Sequence, residues 1–545
     1  IVYNILSEDA ATVEVAPFNV YDGELSIPEQ VTYEGTTYRV TRIGDYAFNN
    51  CFLLTSVSMG ASVTTIGNCA FAGCYALASV NMGSSVTRIG DGAFYMCYHL
   101  TSVTIPESVT WIGVVAFFGC SSLTSITIPS SVMIIGDGAF AGCSNLTGIE
   151  VASGNSAYCS IDGILYDKAV SRLKQCPPTK ERVEIPGSVT VIGDSAFYGC
   201  SNLTSVTIPE SVTIIEYGAF SDCSNLTSMA IPASVTKIGT GVFWGCSRLA
   251  SLEVAPENSA YCAIDGILYD KEVSFLIQCL PVKESVTIPG SVITIADNAF
   301  STCSNLTSII IPESVTTIGN YAFSGCSNLV SIMIPESVTE IGNGAFDGCS
   351  SLTSVTIPSS VTEIKEGTFL NCSGLVSITI PESVTTIRFQ AFSYCSSLTS
   401  ITLPESVNVI EDYVFNGCSN LRSVYCKMPN PISCNPEFSD EVLSDAVLYV
   451  PIGCKPKYET VEPWSGFAHI EEMDYSGIGH VAADRTVRIV ANHGVLIVEG
   501  LGNGEAVTVY DMNGRTVYRG TAQSILLQSG SYVVRAGNKT VKVVI

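Results

Sequence analysis

ESVTTIGNYAFSGCSNLVSIMIP, residues 313–335, is followed at once by the near-copy ESVTEIGNGAFDGCSSLTSVTIP, residues 336–358. Fourteen such copies share a cysteine, and within each run of copies the cysteines are 23 residues apart. Self-similarity at a fixed period predicts a solenoid, in which each unit buries its apolar side by stacking on its neighbours. The cysteines that mark the copies are Cys51, Cys74, Cys97, Cys120, Cys143, Cys200, Cys223, Cys246, Cys303, Cys326, Cys349, Cys372, Cys395 and Cys418.

The apolar residues of one copy indicate how its chain is arranged. We predict two short strands per copy, the first around Ser211–Ile215 and the second ended by Pro232, because proline cannot continue a hydrogen-bonded ladder. Stacked copies would then form parallel ladders with rungs about 4.8 Å apart, and their phenylalanines and cysteines would form internal columns. The glycine after the first strand, as at Gly319 and Gly342, is expected to turn the chain with a positive φ.

Two inserts interrupt the period, at about residues 153–187 and 256–290. They contain nearly the same sequence, NSAYCSIDGILYDKAVSRLKQCP at 155–177 and NSAYCAIDGILYDKEVSFLIQCLP at 258–281. An Ile-Leu-Tyr run, a charged turn and a second apolar run predict a β-hairpin in each insert. Because the inserts are offset by 103 residues, we infer that a larger unit was also duplicated.

The ends of the chain differ from the repeats. Residues 1–37 predict an N-terminal β cap, and the solenoid itself covers residues 38–426. The proline-rich residues 427–474 predict a C-terminal cap with a short helix around Ser439–Ser444. Residues 475–545 alternate apolar and polar side chains between turns, which predicts a small antiparallel β-sandwich of roughly six or seven strands.

The composition argues against two classes of partner. Only 14% of the residues are charged, and 25 lysines and arginines face 50 acidic residues, for a net charge of −25. Such a chain repels nucleic-acid phosphates and anionic membrane surfaces, so we expect neither as a partner. The chain also lacks an apolar run long enough for membrane insertion.

The 22 cysteines divide into two groups. The fourteen in the repeat column are expected to be buried reduced thiols, because free cysteine packs as a small hydrophobic residue. The pair Cys159 and Cys176 recurs as Cys262 and Cys279 with the same spacing in the second insert. Each pair is either a disulfide that closes the hairpin, worth about 3 kcal/mol, or two separate buried thiols.

The repeat SVTxIGxxAFxGCSxLTSVTIP resembles the 23-residue leucine-rich repeat of BspA-like bacterial surface proteins, and the DGILYD inserts are similar to a hairpin variant of that family. Residues 449–473, YVPIGCKPKYETVEPWSGFAHIEEM, resemble the region that closes such arrays. The tail resembles the C-terminal sorting domain of type IX secretion, through VYDMNGRTVYRG at 509–520 and GSYVVRAGNKTVKVVI at 530–545. These resemblances imply a right-handed leucine-rich-repeat solenoid, a secreted, extracellular protein at the cell surface, and adhesion without catalytic residues.

The sequence gives no support to an enzyme, a cofactor or a metal site. HExxH, CxxC and GxSxG motifs are all missing. The four histidines are scattered over different elements: His99, His469, His480 and His493. Glutamates that follow the prolines, such as Glu313 and Glu336, form a row that either faces solvent or holds a cation, and the first interpretation is favoured because the calcium-binding repeat signature is absent.

Aromatic residues in the N-terminal half form the candidate ligand-binding site. They occupy variable positions that we expect to face outward: Tyr95, Tyr98, Trp111, Phe118, Tyr198 and Trp244. Later repeats carry residues such as Ser301 and Ser324 at the position of Tyr95. A patch of exposed aromatic side chains suits a protein or glycan ligand. The alternative is that the inserted hairpins cover these side chains.

Together these features predict an exported, adhesin-like protein that binds a host protein, a glycan or another cell through its solenoid surface. The chain begins without methionine, which agrees with removal of an export signal. The alternative is a rigid spacer or surface-coat element without a specific ligand, which the uniform Thr and Ser positions favour. A third hypothesis, a polysaccharide-active enzyme, requires carboxylates clustered in a cleft. The sequence does not decide the oligomeric state.

Overall fold

The repeats fold as a solenoid. The computed structural model describes residues 1–17, residues 21–475 and seven strands of the C-terminal part. The chain forms two compact units, Ile1–Met473 and Asp474–Ile545. In the first unit, successive rungs contribute short strands to two sets of mainly parallel sheets, which confirms the predicted solenoid. In the described part of the chain, no helix combines the length and hydropathy that crossing a bilayer requires.

Three stacked blocks and two inserts make up the array. We define block 1 as residues 1–152, the first insert as 153–187, block 2 as 188–255, the second insert as 256–290 and block 3 as 291–473.

The strands of block 1, β1 to β14, are Tyr3–Ser7, Thr12–Val15, Asp22–Ile27, Gln30–Tyr33, Thr36–Ile43, Leu53–Met59, Thr65–Ile66, Ser79–Asn81, Arg88–Ile89, Ser102–Val103, Trp111–Ile112, Ser125–Ile128, Ile134–Ile135 and Gly148–Val151. The first insert contains β15 to β18: Tyr158–Ile161, Ile164–Asp167, Arg172–Gln175 and Arg182–Glu184. Block 2 contains β19 to β24: Val191–Ile192, Ser205–Thr207, Ile214–Ile215, Ser228–Ile231, Lys237–Ile238 and Ser251–Val254. The second insert contains β25 to β28: Tyr261–Ile264, Ile267–Asp270, Phe275–Cys279 and Ser285–Thr287.

The strands of block 3, β29 to β42, are Thr294–Ile295, Ser308–Ile310, Thr317–Ile318, Ser331–Met333, Glu340–Ile341, Ser354–Thr356, Glu363–Ile364, Ser377–Thr379, Thr386–Ile387, Ser400–Leu403, Val409–Ile410, Ser423–Cys426, Val447–Pro451 and His469–Met473. Its helices are α1 Asp440–Asp445, α2 Lys455–Tyr458 and a 3₁₀ turn Trp464–Gly466. The described strands of the second unit, β43 to β49, are Arg488–Asn492, Val495–Glu499, Val507–Asp511, Thr516–Gly520, Ser524–Leu526, Ser531–Ala536 and Lys539–Val544.

Neighbouring rungs pair exactly one repeat apart. Ile318 lies beside Ile341 in one set of sheets, and Ser331 lies beside Ser354 in the other. Side chains at equivalent positions therefore form columns along the array. A rung of different length would move its apolar residues out of these columns, which explains why the repeats keep their length.

The chain ends extend or follow these sheets. Ser439 accepts a hydrogen bond from the Val442 amide and so begins α1, where the sequence predicts a short helix. β41 and β42 continue the sheet of β38 and β40 in parallel. In the second unit the described strands pair antiparallel in two sheets, β43-β44-β47 and β46-β45-β48-β49, which agrees with the predicted antiparallel tail.

Phenylalanine rings stack along the centre of the array. The rings of Phe323 and Phe346 are nearly parallel, with centroids 5.4 Å apart, and both side chains are fully buried. Similar pairs recur in each block, for example Phe48 with Phe71 at 5.3 Å. This column buries a large apolar surface in every rung, so it is a main source of hydrophobic stabilisation.

The cysteine column has a hydrogen-bonding function besides packing. The Cys349 Sγ donates to the backbone oxygen of Phe323 in the preceding rung at 3.2 Å. The same bond recurs at both ends of the array, from Cys74 to the Phe48 oxygen and from Cys418 to the Phe392 oxygen. All fourteen column cysteines are buried, and none of them is part of a disulfide. Cysteine suits this position because it is small and apolar yet carries a weak donor.

The glycine after the first strand does not have the predicted positive φ. A Cβ on Gly319 would lie 2.5 Å from the Asp297 nitrogen, and one on Gly342 would lie 2.4 Å from the Asn320 nitrogen. Glycine is therefore required here because the neighbouring rung approaches closely. The positive φ falls two residues later, for example 53° at Tyr321, which a non-glycine residue often occupies.

Each insert interrupts one set of sheets. The predicted hairpin β15–β16 forms, and β16 pairs on its other side with β17, which continues into block 2. No ladder joins β13 to β15. Instead, the Tyr158 hydroxyl accepts a hydrogen bond from the Ile135 amide at 2.8 Å, in place of a carbonyl of a following rung. The second insert repeats this arrangement.

The inserts also divide the hydrophobic core into three clusters. Leu165 of β16 packs with the core of block 1, whereas Ile164 and Tyr166 pack with that of block 2. In the second insert, Leu268 packs with block 2, and Tyr269 packs with block 3. The middle strand of each insert therefore forms a layer that both neighbouring cores contact.

Replacing a glycine at the rung contact should destabilise the protein. The Gly342→Ala variant must push the backbone of the preceding rung away, so we expect a loss of about 1–3 kcal/mol, measured as a lower urea midpoint by circular dichroism. Gly290→Ala is the control, because no atom lies within 4 Å of a Cβ at Gly290. Equal midpoints for the two variants would contradict the close-contact account.

Alkaline pH should destabilise the array through its buried thiols. Burial raises the pKa of Cys74, Cys143, Cys349 and Cys418 from 9.0 to about 12. Unfolded thiols lose protons near pH 9, whereas folded ones keep them, so the stability from neutral thiols is complete below pH 9 and is lost as the pH rises toward 12. We expect the urea midpoint to fall steadily over this range.

The control for the alkaline effect is Cys349→Ala combined with Cys372→Ala. This variant is expected to be less stable at pH 8 but to lose less stability between pH 9 and pH 12, because it lacks two titrating thiols. Alkylation of the folded protein gives a second check, in which the part-exposed cysteines react first: Cys69, Cys159, Cys262 and Cys434. Rapid alkylation of the column thiols before unfolding would count against this account.

Candidate ligand-binding surface

Two files of aromatic side chains lie beside the turn between the two strands of the N-terminal rungs. In the sequence, each residue of the first file comes directly after a column cysteine, and each residue of the second file comes directly after a column phenylalanine. We call them together the aromatic strip. Its members are Phe52, Tyr75 and Tyr98 in the first file, and Tyr95, Phe118, Tyr198 and Trp244 in the second.

The first file is exposed and stacked. Tyr75 packs against Phe52 on one side and Tyr98 on the other, with centroid distances of 5.0 Å in both cases. The exposed fractions are 50% for Phe52, 38% for Tyr75 and 37% for Tyr98. Rings that stack and remain exposed in this way form a preordered apolar surface.

The second file continues across the first insert. Tyr95 and Phe118 stack at 5.1 Å, and the Phe118 ring also contacts Tyr198 of block 2 at 5.1 Å. These three side chains are half-buried, whereas Trp244 is exposed and donates from its Nε1 to the Ser301 Oγ at 2.9 Å.

The hydroxyl groups of Tyr95 and Tyr198 stay protonated at neutral pH. Burial raises the pKa of Tyr95, and the neighbouring Tyr98 and Tyr75 hydroxyls raise it further. Burial and the Asp222 carboxylate raise the pKa of Tyr198. The influence of Tyr75 and Tyr98 on Tyr95 indicates that the two files adjoin. Neutral phenols can both donate and accept hydrogen bonds.

Trp111 lies apart from the other predicted site residues. It belongs to β11, between β9 and β13, and the Arg88 guanidinium lies 4.5 Å from the centre of its ring in a cation–π contact. The other five predicted residues belong to the strip. The inserted hairpins do not cover Tyr98 and Trp244, which remain exposed.

Sequence reasoning missed Phe52 and Tyr75, although a signal for them exists. In three consecutive repeats an aromatic residue follows the column cysteine, at Phe52, Tyr75 and Tyr98. Equivalent positions in neighbouring rungs stack, so three aromatics in one column indicate a file of rings.

The two candidate disulfide pairs are separate thiols in the structure. Cys159 lies in β15 and Cys176 follows β17, and β16 lies between those strands. Two strand spacings amount to about 9.5 Å, which exceeds the Cα separation that a disulfide spans. Cys262 and Cys279 have the same arrangement across β26. This geometry favours the alternative of separate thiols.

The glutamate row is engaged by neighbouring side chains. Glu336 accepts hydrogen bonds from the Ser359 amide and hydroxyl, and Glu382 forms an ion pair with Lys427 at 2.6 Å. Within the described ranges, no three His, Cys, Asp or Glu side chains are grouped as a metal site requires.

A polar cleft of about 500 Å³ lies between β14 and the first hairpin. Glu150, Asp162 and Lys180 contribute its charged groups. Asp162 pairs with Lys180 at 2.8 Å, and its side chain is 80% exposed. The pair recurs in the second insert as Asp265 and Lys283, so it belongs to the duplicated insert. The cleft contains two carboxylates, one of which contacts the Lys180 ammonium group.

Comparisons with known proteins agree with this architecture. Residues 41–160, 173–263, 277–396 and 340–437 match the BspA type Leucine rich repeat region. No curated protein matches the chain.

Several solved bacterial structures are similar. A leucine-rich repeat protein from Eubacterium ventriosum is 28% identical, covers 63% of this chain and 91% of its own, and has a TM-score of 0.44. A leucine rich cell surface protein from Faecalibacterium prausnitzii is 31% identical, covers 78% and 92%, and has a TM-score of 0.36. A leucine-rich repeat protein from Bacteroides ovatus is 26% identical, covers 87% and 98%, and has a TM-score of 0.30. On its repeats and on the residues that match the BspA type Leucine rich repeat region, which make up more than half of the chain, the chain belongs to the BspA-type leucine-rich repeat family.

Proposed function

We propose that this chain is an exported cell-surface protein that binds a protein ligand through the aromatic strip, without catalysis. The observation that carries the proposal is the exposed, stacked file of Phe52, Tyr75 and Tyr98. Surface location is supported by the family and by the similar Faecalibacterium prausnitzii structure, which is described as a leucine rich cell surface protein. The tail's resemblance to a sorting domain would supply the export route.

The stacking favours a protein ligand over a glycan. Sugars bind aromatic side chains mainly through the flat face of the ring. Both faces of Tyr75 are occupied, by Phe52 and Tyr98, and Phe118 lies between Tyr95 and Tyr198. Where its rings are stacked on both faces, the strip therefore presents ring edges and hydroxyl groups, which suit apolar side chains and backbone carbonyls of a protein partner.

The scaffold lowers the cost of binding. Tyrosine and tryptophan are frequent binding hot spots, and a partner gains most from side chains that are already ordered. In the strip, every ring except that of Trp244 packs against a neighbouring ring, and the Trp244 indole is held by its hydrogen bond to Ser301. Little conformational entropy is then lost when a ligand docks.

Non-catalytic function is supported by the cleft chemistry. The Asp162 side chain is 80% exposed and is already paired with Lys180, so it is not enclosed with a substrate as a catalytic carboxylate would be. Recurrence of this pair in the second insert fits a structural contact of the hairpin.

One observation favours the alternative of a rigid spacer. Threonines on the outer side of the array bond to the preceding rung, as from the Thr87 hydroxyl to the Thr64 oxygen and from Thr110 to the Thr87 oxygen. These threonine hydroxyls bond within the stack, as a spacer without a specific ligand requires.

Replacing strip residues should weaken ligand binding. We expect Tyr75→Ala combined with Phe118→Ala to reduce affinity at least about tenfold, measured by surface plasmon resonance on a panel of immobilised extracellular-matrix proteins beside a glycan array. Tyr394→Ala is the matched control, because Tyr394 is 50% exposed but lies in block 3. Trp111→Ala tests the separate position of that residue and should leave affinity unchanged.

Three outcomes would count against the proposal. Unchanged affinity in the strip variant would reject the location. Binding confined to the glycan array would reject the protein ligand. A lack of saturable binding to every probe would favour the rigid spacer.

A further inference from the structure

The two inserts are copies of one unit. The differences between them therefore determine how firmly each junction fixes the orientation of the neighbouring blocks. Both keep the same anchor. Asn155 donates to the Pro129 and Val132 oxygens, and Asn258 donates to the matching oxygens in block 2. At the first junction the Ile135 amide donates to the Tyr158 hydroxyl. At the second junction the Ile238 amide likewise donates to the Tyr261 hydroxyl, at 2.8 Å.

At the first junction, additional hydrogen bonds tie the hairpin to block 1. The Ile149 amide of β14 donates to the Gly163 oxygen at 2.9 Å. The Ser160 hydroxyl donates to the Ile149 oxygen at 2.6 Å, and the Thr179 hydroxyl donates to the Leu146 oxygen at 3.0 Å.

An ion pair crosses the same junction. Lys174 of β17 contacts Asp137 of block 1 at 2.5 Å, and only 11% of the lysine side chain is exposed. With the three hydrogen bonds, it makes four directional interactions between the first insert and block 1. Because each depends on angle as well as distance, together they fix the orientation of the hairpin on block 1.

At the second junction, substitutions remove the groups that make these interactions. Ala263 stands in place of Ser160, and Val282 in place of Thr179. Thr240 and Ile277 replace the ion pair of Asp137 and Lys174. Between the described residues of this junction, the Leu252 amide does not bond to the Gly266 oxygen as Ile149 does to Gly163.

Besides the shared Asn258 and Tyr261 hydrogen bonds, apolar contacts take the place of these interactions at the second junction. Leu280, which replaces Pro177, is 2% exposed and packs in the core of block 2, and Ile277 packs against the same core. The Trp244 Nε1 also reaches the Ser301 hydroxyl across the junction. Apolar contacts are not directional, so the second junction, which has fewer hydrogen bonds and lacks the ion pair, resists tilting less than the first.

We propose that the array bends at the second insert, so that blocks 1 and 2 form one rigid body and block 3 swings against it. The aromatic strip lies on the rigid body, and its Phe118–Tyr198 contact crosses the first junction. Blocks 1 and 2 would then form a fixed binding head, and block 3 a pivoting stalk. The role as a binding head rests on the proposed function, whereas the bending does not.

Hydrogen exchange of the unliganded full chain tests the bending. The inserts have nearly the same sequence, so each serves as a control for the intrinsic exchange rates of the other. We expect the Leu252 amide and the amides of β25 to exchange at least about tenfold faster than Ile149 and β15, which corresponds to one net hydrogen bond. Equal protection of the two inserts would overturn the proposal.

Exchanging residues between the junctions provides the second arm. Ala263→Ser with Val282→Thr should slow exchange in the second insert and narrow the range of bend angles in electron-microscopy class averages. Ser160→Ala with Thr179→Val should loosen the first junction. If neither pair changes exchange or bend angles, the hinge is excluded. Ligand affinity plays no part in these readouts, so failure of the binding proposal is separately detectable.

Discussion

The structure depends on the contact between one rung and the next. Each rung approaches its neighbour so closely that a Cβ on Gly319 or Gly342 would collide with the preceding backbone. At that distance the cysteine thiol reaches the phenylalanine carbonyl of the preceding rung, and successive rings stack at about 5 Å, as for Phe323 and Phe346. Since these contacts all join one repeat to the next, a fixed repeat length is a condition for each of them.

The same constraint shapes the surface. Whatever occupies one position in consecutive repeats becomes a file along the array, so a few substitutions produce an extended, ordered surface. Phe52, Tyr75 and Tyr98 show how little sequence change this requires. Where the constraint is interrupted, at the inserts, a layer such as β16 is shared by two cores, and the stiffness of the junction depends on the bonds that cross it.

Much of the architecture could be predicted because the length of the repeat determines which residues stack on one another. The period, the two strands per rung and the phenylalanine and cysteine columns all follow from residue spacing. The predicted positive φ at Gly319 was wrong because a positive φ and a close approach of neighbouring backbone both favour glycine, and sequence alone does not distinguish them. At Gly319 the reason is the close approach. Trp111 was grouped with Tyr95 because both depart from the consensus, although a strand residue and a turn residue face different sides.

Deleting residues tests the stacking account most directly. Removal of residues 336–358, one complete repeat, should leave a folded protein with a single cooperative thermal transition, because the flanking rungs can restore every contact in register. Removal of residues 336–347, about half a repeat, should abolish folding of block 3. Equal damage from both deletions, measured by circular dichroism and calorimetry, would contradict the account.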